Sequence, residues 1–176
     1  MTDPTNTSPI TSAVKDEPHV TPDWRIERQL IDGVALREVR NIVTGNGVTT
    51  EVHREDWGIA GHVEQIIHVA LRGGAISAWH MHDRKTDHLF TVTGHLRAVL
   101  YDDREGSPTR GGLDVVHLAL ERPTLLVIPP GVWHGIQNLD GTPSTFVNYF
   151  DEQYAYDNPD DWRLPPDTDE IPYRFR

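Results

Sequence analysis

The chain has 176 residues, 37% of them hydrophobic, which is enough for one folded domain with a sizeable core. It contains no cysteine, which excludes disulfides, thiol nucleophiles and thiolate ligands, so any metal must be held by imidazole and carboxylate. A formal net charge of −11 argues against nucleic-acid or anionic-membrane partners, no apolar run approaches the ~20 residues of a membrane span, and the start lacks a secretion-signal layout; the expected location is cytoplasmic.

Residues 1–24 are rich in Thr, Ser, Pro and Asp and read as a disordered N-terminal lead, leaving 25–176 as a single domain. Short apolar or β-branched runs then recur between turn formers. They cover Ile26–Ile31, Ala35–Val39, Val48–Val52, Gln65–Ala70, Ala75–His80, Leu89–Thr93, Leu96–Tyr101, Val115–Leu120, Thr124–Ile128 and Ser144–Phe150. Asp32-Gly33, Gly45-Asn46-Gly47, Gly73-Gly74, Gly94, Pro130-Gly131 and Asp140-Gly141 punctuate them. This spacing predicts an all-β sandwich or barrel, with no amphipathic helix. The end, Asp157–Arg176, alternates Pro, Asp and aromatic residues and is expected to lie against the domain as an irregular arm.

Ten histidines is a high count for this length, and a few of them are arranged. His80 and His82 are two apart at the end of a strand, so both face one way. Gly74, His80, His82, Asp87 and Gly94 together follow the first cupin motif, with aspartate where glutamate is usual. Pro129-Pro130-Gly131-Val132-Trp133-His134-Gly135-Ile136-Gln137-Asn138 follows the second. The sequence thus resembles the cupins, which implies a double-stranded β-helix, or jelly-roll, barrel with an N-terminal strand extension. Neighbouring strands would bring His80, His82, Asp87 and His134 together, a set that suits Fe, Mn, Ni, Zn or Cu. His88 would replace Asp87 as ligand only if a bulge turned it inward. Trp79 and Trp133 each precede a motif histidine, so alternation turns them away from the pocket, toward the arm. His19, His53, His62, His68, His95 and His117 have no arranged partners and read as ordinary core or surface residues.

Four further segments carry a narrower likeness: Ile31-Asp32-Gly33-Val34, Thr50-Glu51-Val52-His53-Arg54, the stretch from Asp102 through Arg104, Ser107, Pro108 and Thr109 to Gly111, and Ile128–Gly135. With Gln65 fifteen residues before His80, they resemble the dTDP-4-dehydrorhamnose 3,5-epimerase family, a cupin branch, from about Ile31 to Phe175. The resemblance implies a homodimer with N-terminal strands crossing between subunits, and a pocket for a nucleotide-linked 4-keto sugar. By position His80 matches the proton-abstracting base, His134 the second pocket histidine and Tyr154 one of two pocket tyrosines. The other tyrosine falls on Asn148, or on Tyr149 with a one-residue slip. Gln65, Arg104 and Asn148 join His134 as expected substrate contacts, and Arg84, Lys85 and Arg110 are further candidates for an anion. This chain departs from the family at Ser77, Asp87 and His82, where arginine, lysine and glutamine are usual. Asp167 or Asp169 would stand in for a late aspartate that pairs with the base.

Three readings follow. One is an epimerase moving protons next to a 4-keto group, with His80 as base and Tyr149 or Tyr154 as acid. Another is an enzyme using one divalent ion on His80, His82, Asp87 and His134, acting on a small carbonyl or hydroxy substrate without an organic cofactor. The third is a non-catalytic small-molecule-binding module.

Overall fold

Two antiparallel sheets of five strands each stack face to face in the computed structural model, which describes residues 28–59 and 61–176 together with Ser12, Val14 and residues 20–23. With strands numbered in chain order, the first sheet runs β1 (Ala35–Glu38), β9 (Thr124–Ile128), β6 (Asp87–Thr93), β11 (Ser144–Phe150), β4 (Gln65–Leu71). The second runs β12 (Trp162–Arg163), β5 (Ile76–Met81), β10 (Val132–Asn138), β7 (His95–Asp102), β8 (Leu113–Ala119). A separate hairpin pairs β2 (Asn41–Thr44) with β3 (Gly47–Thr50). No helix among the described residues is long and apolar enough to cross a membrane.

The architecture is the cupin jelly roll, with one correction to the expected barrel: the two sheets do not close on each other. Strand ladders stay within each sheet, and the sheets meet through side chains. The inner faces bury Leu71, Leu89, Leu96, Ala98, Leu100, Val116, Leu118, Leu126, Ile128, Val132, Ile136 and Phe146 as one core. Several strands look uniformly apolar because both outer faces are also covered. Val52, Trp57, Ile59 and Val63 pack on Phe90, Leu125, Val127 and Tyr149 outside the first sheet. Outside the second sheet Leu164, Ile171, Tyr173 and Phe175 of the C-terminal arm pack on Trp79, Val99 and Trp133. Trp79 is fully buried there, and Gly135 lets the arm close down, since a Cβ at that position would lie 2.7 Å from the Phe175 ring.

Most expected strands lie within two residues of those observed. The run expected at Val48–Val52 is instead β3 ending at Thr50, because the Gly45-Asn46-Gly47 turn pairs it with β2. Of the strand expected at Ile26–Ile31, residues 26 and 27 lie outside the described residues, and 28–31 form no strand. The expected lead, 1–24, is almost wholly outside them. Gly94 makes the β6–β7 turn at φ 79°, where a Cβ would lie 2.0 Å from the Ser144 hydroxyl, so both conformation and space require glycine.

Candidate functional site

A cavity of about 460 Å³ opens between the sheets, lined by Gln65, Ile67 and Val69 of β4, by Leu89 and Phe146, and by a set of polar groups from both sheets. Alternation selects those groups. On β6 Asp87 points inward and His88 outward; on β11 Asn148 points inward and Tyr149 outward; on β10 His134 points inward and Trp133 outward. β5 breaks the rhythm: His134 pairs with His80 but Ile136 pairs with Ser77, so β5 carries one extra residue. That bulge brings Ser77 and His80 onto the same wall of the cavity.

His82, Asp87 and His134 are buried, and one donor atom from each lies within 4.8 Å of the others. His82 Nε2 is 3.4 Å and His134 Nε2 3.8 Å from the same Asp87 oxygen, Oδ2. The other Asp87 oxygen accepts from Asn148 Nδ2 at 2.7 Å. His82 Nδ1 lies 2.5 Å from the Asp160 carbonyl and His134 Nδ1 3.1 Å from the Val132 carbonyl. A carbonyl oxygen can only accept, so both Nδ1 atoms carry protons, and in the neutral rings both Nε2 lone pairs face the carboxylate. Burial holds His134 below the ordinary histidine range, with Asp87 opposing that shift.

His80 stands apart from the three. Its ring stacks nearly parallel to that of His134, with centroids 5.8 Å apart. Its Nε2 is 3.0 Å from Ser77 Oγ and 3.2 Å from Arg163 Nη1. Arginine only donates, so this Nε2 is the lone-pair atom of a neutral imidazole. Burial, then the neighbouring His134 and the Arg163 charge, push its pKa down to about 3, against the pull of Asp87. Within the expected metal set, therefore, three residues converge and His80 is turned to other partners.

The remaining expected residues separate clearly. Tyr154 lies at the cavity rim, where its backbone N–H donates to Gln65 Oε1 at 2.9 Å. Tyr149 lies outside the first sheet, its ring flat against His88 at 4.9 Å and its hydroxyl donating to the Val52 carbonyl at 3.2 Å. His88 is held there too, its Nδ1 3.0 Å from the Tyr149 carbonyl, so it does not replace Asp87. Arg104 does not line the cavity. It closes its own loop on the buried Asp102, which also accepts from Ser107 and Thr109. Arg84 and Arg110 are spent on Glu152 and Asp103. Asp169 pairs with Arg174, and neither it nor Asp167 is among the cavity residues.

The sequence reading missed the arm's contribution. Asp160 accepts from the backbone N–H groups of Asp83, Arg84 and Lys85, fixing the turn after β5. Asp161 lies 3.6 Å from the Nζ of buried Lys85, which sits over the rings of Phe150 and Tyr154. The only available signal was the charged stretch Asp160-Asp161-Trp162-Arg163 within a Pro-rich tail.

The dTDP-4-dehydrorhamnose 3,5-epimerase family matches residues 29–172. The spore coat polysaccharide biosynthesis protein SpsL of Bacillus subtilis is 36% identical over 146 residues, 83% of this chain and 97% of that protein. The probable low-salt glycan biosynthesis epimerase Agl13 of Haloferax volcanii is 33% identical over 139 residues, 78% of this chain and 89% of that one. The crystal structure of a dTDP sugar isomerase from Desulfovibrio desulfuricans superposes with a TM-score of 0.78 at 30% identity, covering 82% of this chain and 92% of that one.

Proposed function

The chain belongs to the dTDP-4-dehydrorhamnose 3,5-epimerase family, and from that membership we propose that it epimerises a dTDP-linked 4-keto sugar by proton transfer beside the ketone. The carrying observation is a neutral imidazole, His80, with its Nε2 lone pair on the wall of a cavity large enough for a sugar. His80 Nε2 takes the proton from the carbon next to the carbonyl. The C–H electron pair becomes the enolate, and a proton returned to the opposite face inverts the centre. Tyr154 supplies that proton, being the tyrosine among the cavity residues. His134, Gln65 and Asn148 hold the sugar. The assembly proposed with this activity is a homodimer, supported by the exposed apolar side chains of Ile42, Val43 and Val48 on the β2–β3 hairpin.

The test is incubation with a dTDP-linked 4-keto-6-deoxyhexose in deuterated water, followed by NMR. Deuterium is expected at a carbon flanking the ketone, and His80→Asn should slow its entry by about 10²–10⁴-fold. Absence of enzyme-dependent exchange with any such sugar overturns the assignment.

A second reading rests on the three converging acceptors. Two Nε2 lone pairs and a carboxylate oxygen within 4.8 Å repel one another unless a cation or an added proton lies between them. Two imidazoles and one carboxylate, with both Nδ1–H groups anchored on carbonyls, fit a divalent ion of the Zn or Fe kind. Such an ion, when bound, would polarise the ketone oxygen. Elemental analysis of untagged protein purified without chelator should then find close to one ion per chain, reduced to background in Asp87→Asn. Metal at background in the parent protein, with no rise in melting temperature when Zn or Mn is added, removes this reading.

A further inference from the structure

We propose that Arg163 is a catalytic residue of this protein, its guanidinium holding the carbonyl oxygen that becomes an enolate as His80 takes the neighbouring proton; this rests on the epimerase reading. The ketone oxygen is only two bonds from the carbon that loses its proton. Any cation serving that oxygen must therefore lie close beside the base. Arg163 meets this condition, with Nη1 3.2 Å from His80 Nε2 and its side chain on the same cavity wall.

Its placement is built into the fold. Arg163 is one of the two residues of β12 and sits directly opposite His80 in the ladder, as Trp162 sits opposite Met81. Trp79 N–H donates to the Leu164 carbonyl at 2.9 Å and Leu164 N–H returns a bond to the Trp79 carbonyl at 3.3 Å, locking the arm to β5 at the residue that follows the arginine. The side chain is also uncommitted. The cavity's other cation, Lys85, has Asp161 at 3.6 Å. Among the described residues Arg163 has no carboxylate within ion-pairing distance, and its one polar partner is His80. A guanidinium offers five donors, so when the substrate C–H displaces it from Nε2, the same group can turn onto the adjacent oxygen without leaving its seat. A cation already fixed where negative charge develops needs no reorganisation at the moment of reaction.

The alternative is that Arg163 binds the diphosphate, and the two roles separate in the kinetics. Removing a contact that strengthens only as the enolate forms lowers kcat; removing one that is equally strong before and after raises KM. Deuterium incorporation from solvent into a dTDP-linked 4-keto-6-deoxyhexose should be followed for the parent protein, Arg163→Met and Arg163→Lys. The methionine variant is expected to lose about 10²–10³-fold in kcat with little change in KM. The lysine variant should retain part of the rate, and added methylguanidinium should restore part of it to the methionine variant. An unchanged kcat in Arg163→Met, or a loss confined to KM, overturns the proposal while leaving the epimerase assignment standing. No exchange by the parent protein overturns both. Should Arg163→Met fold poorly by circular dichroism, Arg163→Gln with the parent's melting temperature carries the comparison, and a parent-like kcat there overturns the role.

Discussion

Two tyrosines five residues apart illustrate how little sequence distance has to do with chemical opportunity. Tyr149 is adjacent to a cavity residue, Asn148, yet strand alternation places its ring on the far side of the sheet. Burial pushes its hydroxyl well above the ordinary tyrosine range, so it stays protonated there. Tyr154 follows the end of β11 and reaches back over the cavity mouth, where it is 38% exposed. Tyr149→Phe should therefore cost about 1 kcal/mol of stability for the lost bond to Val52 and leave epimerisation within a few-fold of the parent. Tyr154→Phe should instead uncouple the reaction: deuterium still enters on the face where His80 works, while inverted product falls by about 10²–10⁴-fold. Thermal melts and product NMR check both. A folded Tyr149→Phe protein that makes no inverted sugar would sink this division of labour.

At the scale of strands, what could be seen in the sequence was whatever depends on local period. Asp87 and His134 were marked by motif spacing, but no strand was expected over β10, and Asn148 and Tyr149 stood as alternatives until alternation along β11 turned Asn148 to the cavity. The outward placement of His88, Trp79 and Trp133 followed from the same rule. The bulge in β5 was not visible, because an extra residue leaves no mark in a run such as Ile76-Ser77-Ala78-Trp79-His80 until the partner strand is known. It brings Ser77 onto the cavity wall with His80, whose Nε2 it contacts, so the four-residue metal set expected from spacing became a trio plus a free base. The arm was harder still. β12 has two residues, too few for any periodicity, and its register with β5 is fixed by contacts about 80 positions apart in sequence. Arg104 shows the converse error. A motif arginine looked available for a ligand, but its turn had already spent it on a buried aspartate.

Across the whole molecule, the unusual load of buried imidazole sets how stability responds to acid. His80, His88 and His134 are all held below the ordinary histidine value of 6.5, in each case chiefly by burial, so the folded chain keeps them neutral where the unfolded chain protonates them. Above about pH 6.5 neither state binds these protons, and they contribute no pH dependence. As pH falls below 6.5 the unfolded state takes up protons that the folded state refuses, and stability drops by up to about 1.4 kcal/mol per pH unit for each histidine involved. The excess negative charge works the other way, since protonating surface carboxylates relieves repulsion in a chain of net charge −11. That relief begins only near pH 4–5, where carboxylates titrate, so the histidines decide the interval above it. Asp102 adds a second, lower window. Arg104, Ser107 and Thr109 hold its carboxyl well below the usual range despite burial, and that stabilisation is lost as pH falls below about 3.8. Urea denaturation of chelator-treated protein should therefore show a constant midpoint from pH 8 to about 7, a decline setting in near 6.5, and a steeper fall below 4. A midpoint unchanged between pH 7 and 5 would mean that the cavity histidines already carry protons in the folded state, and the neutral base required of His80 would go with it.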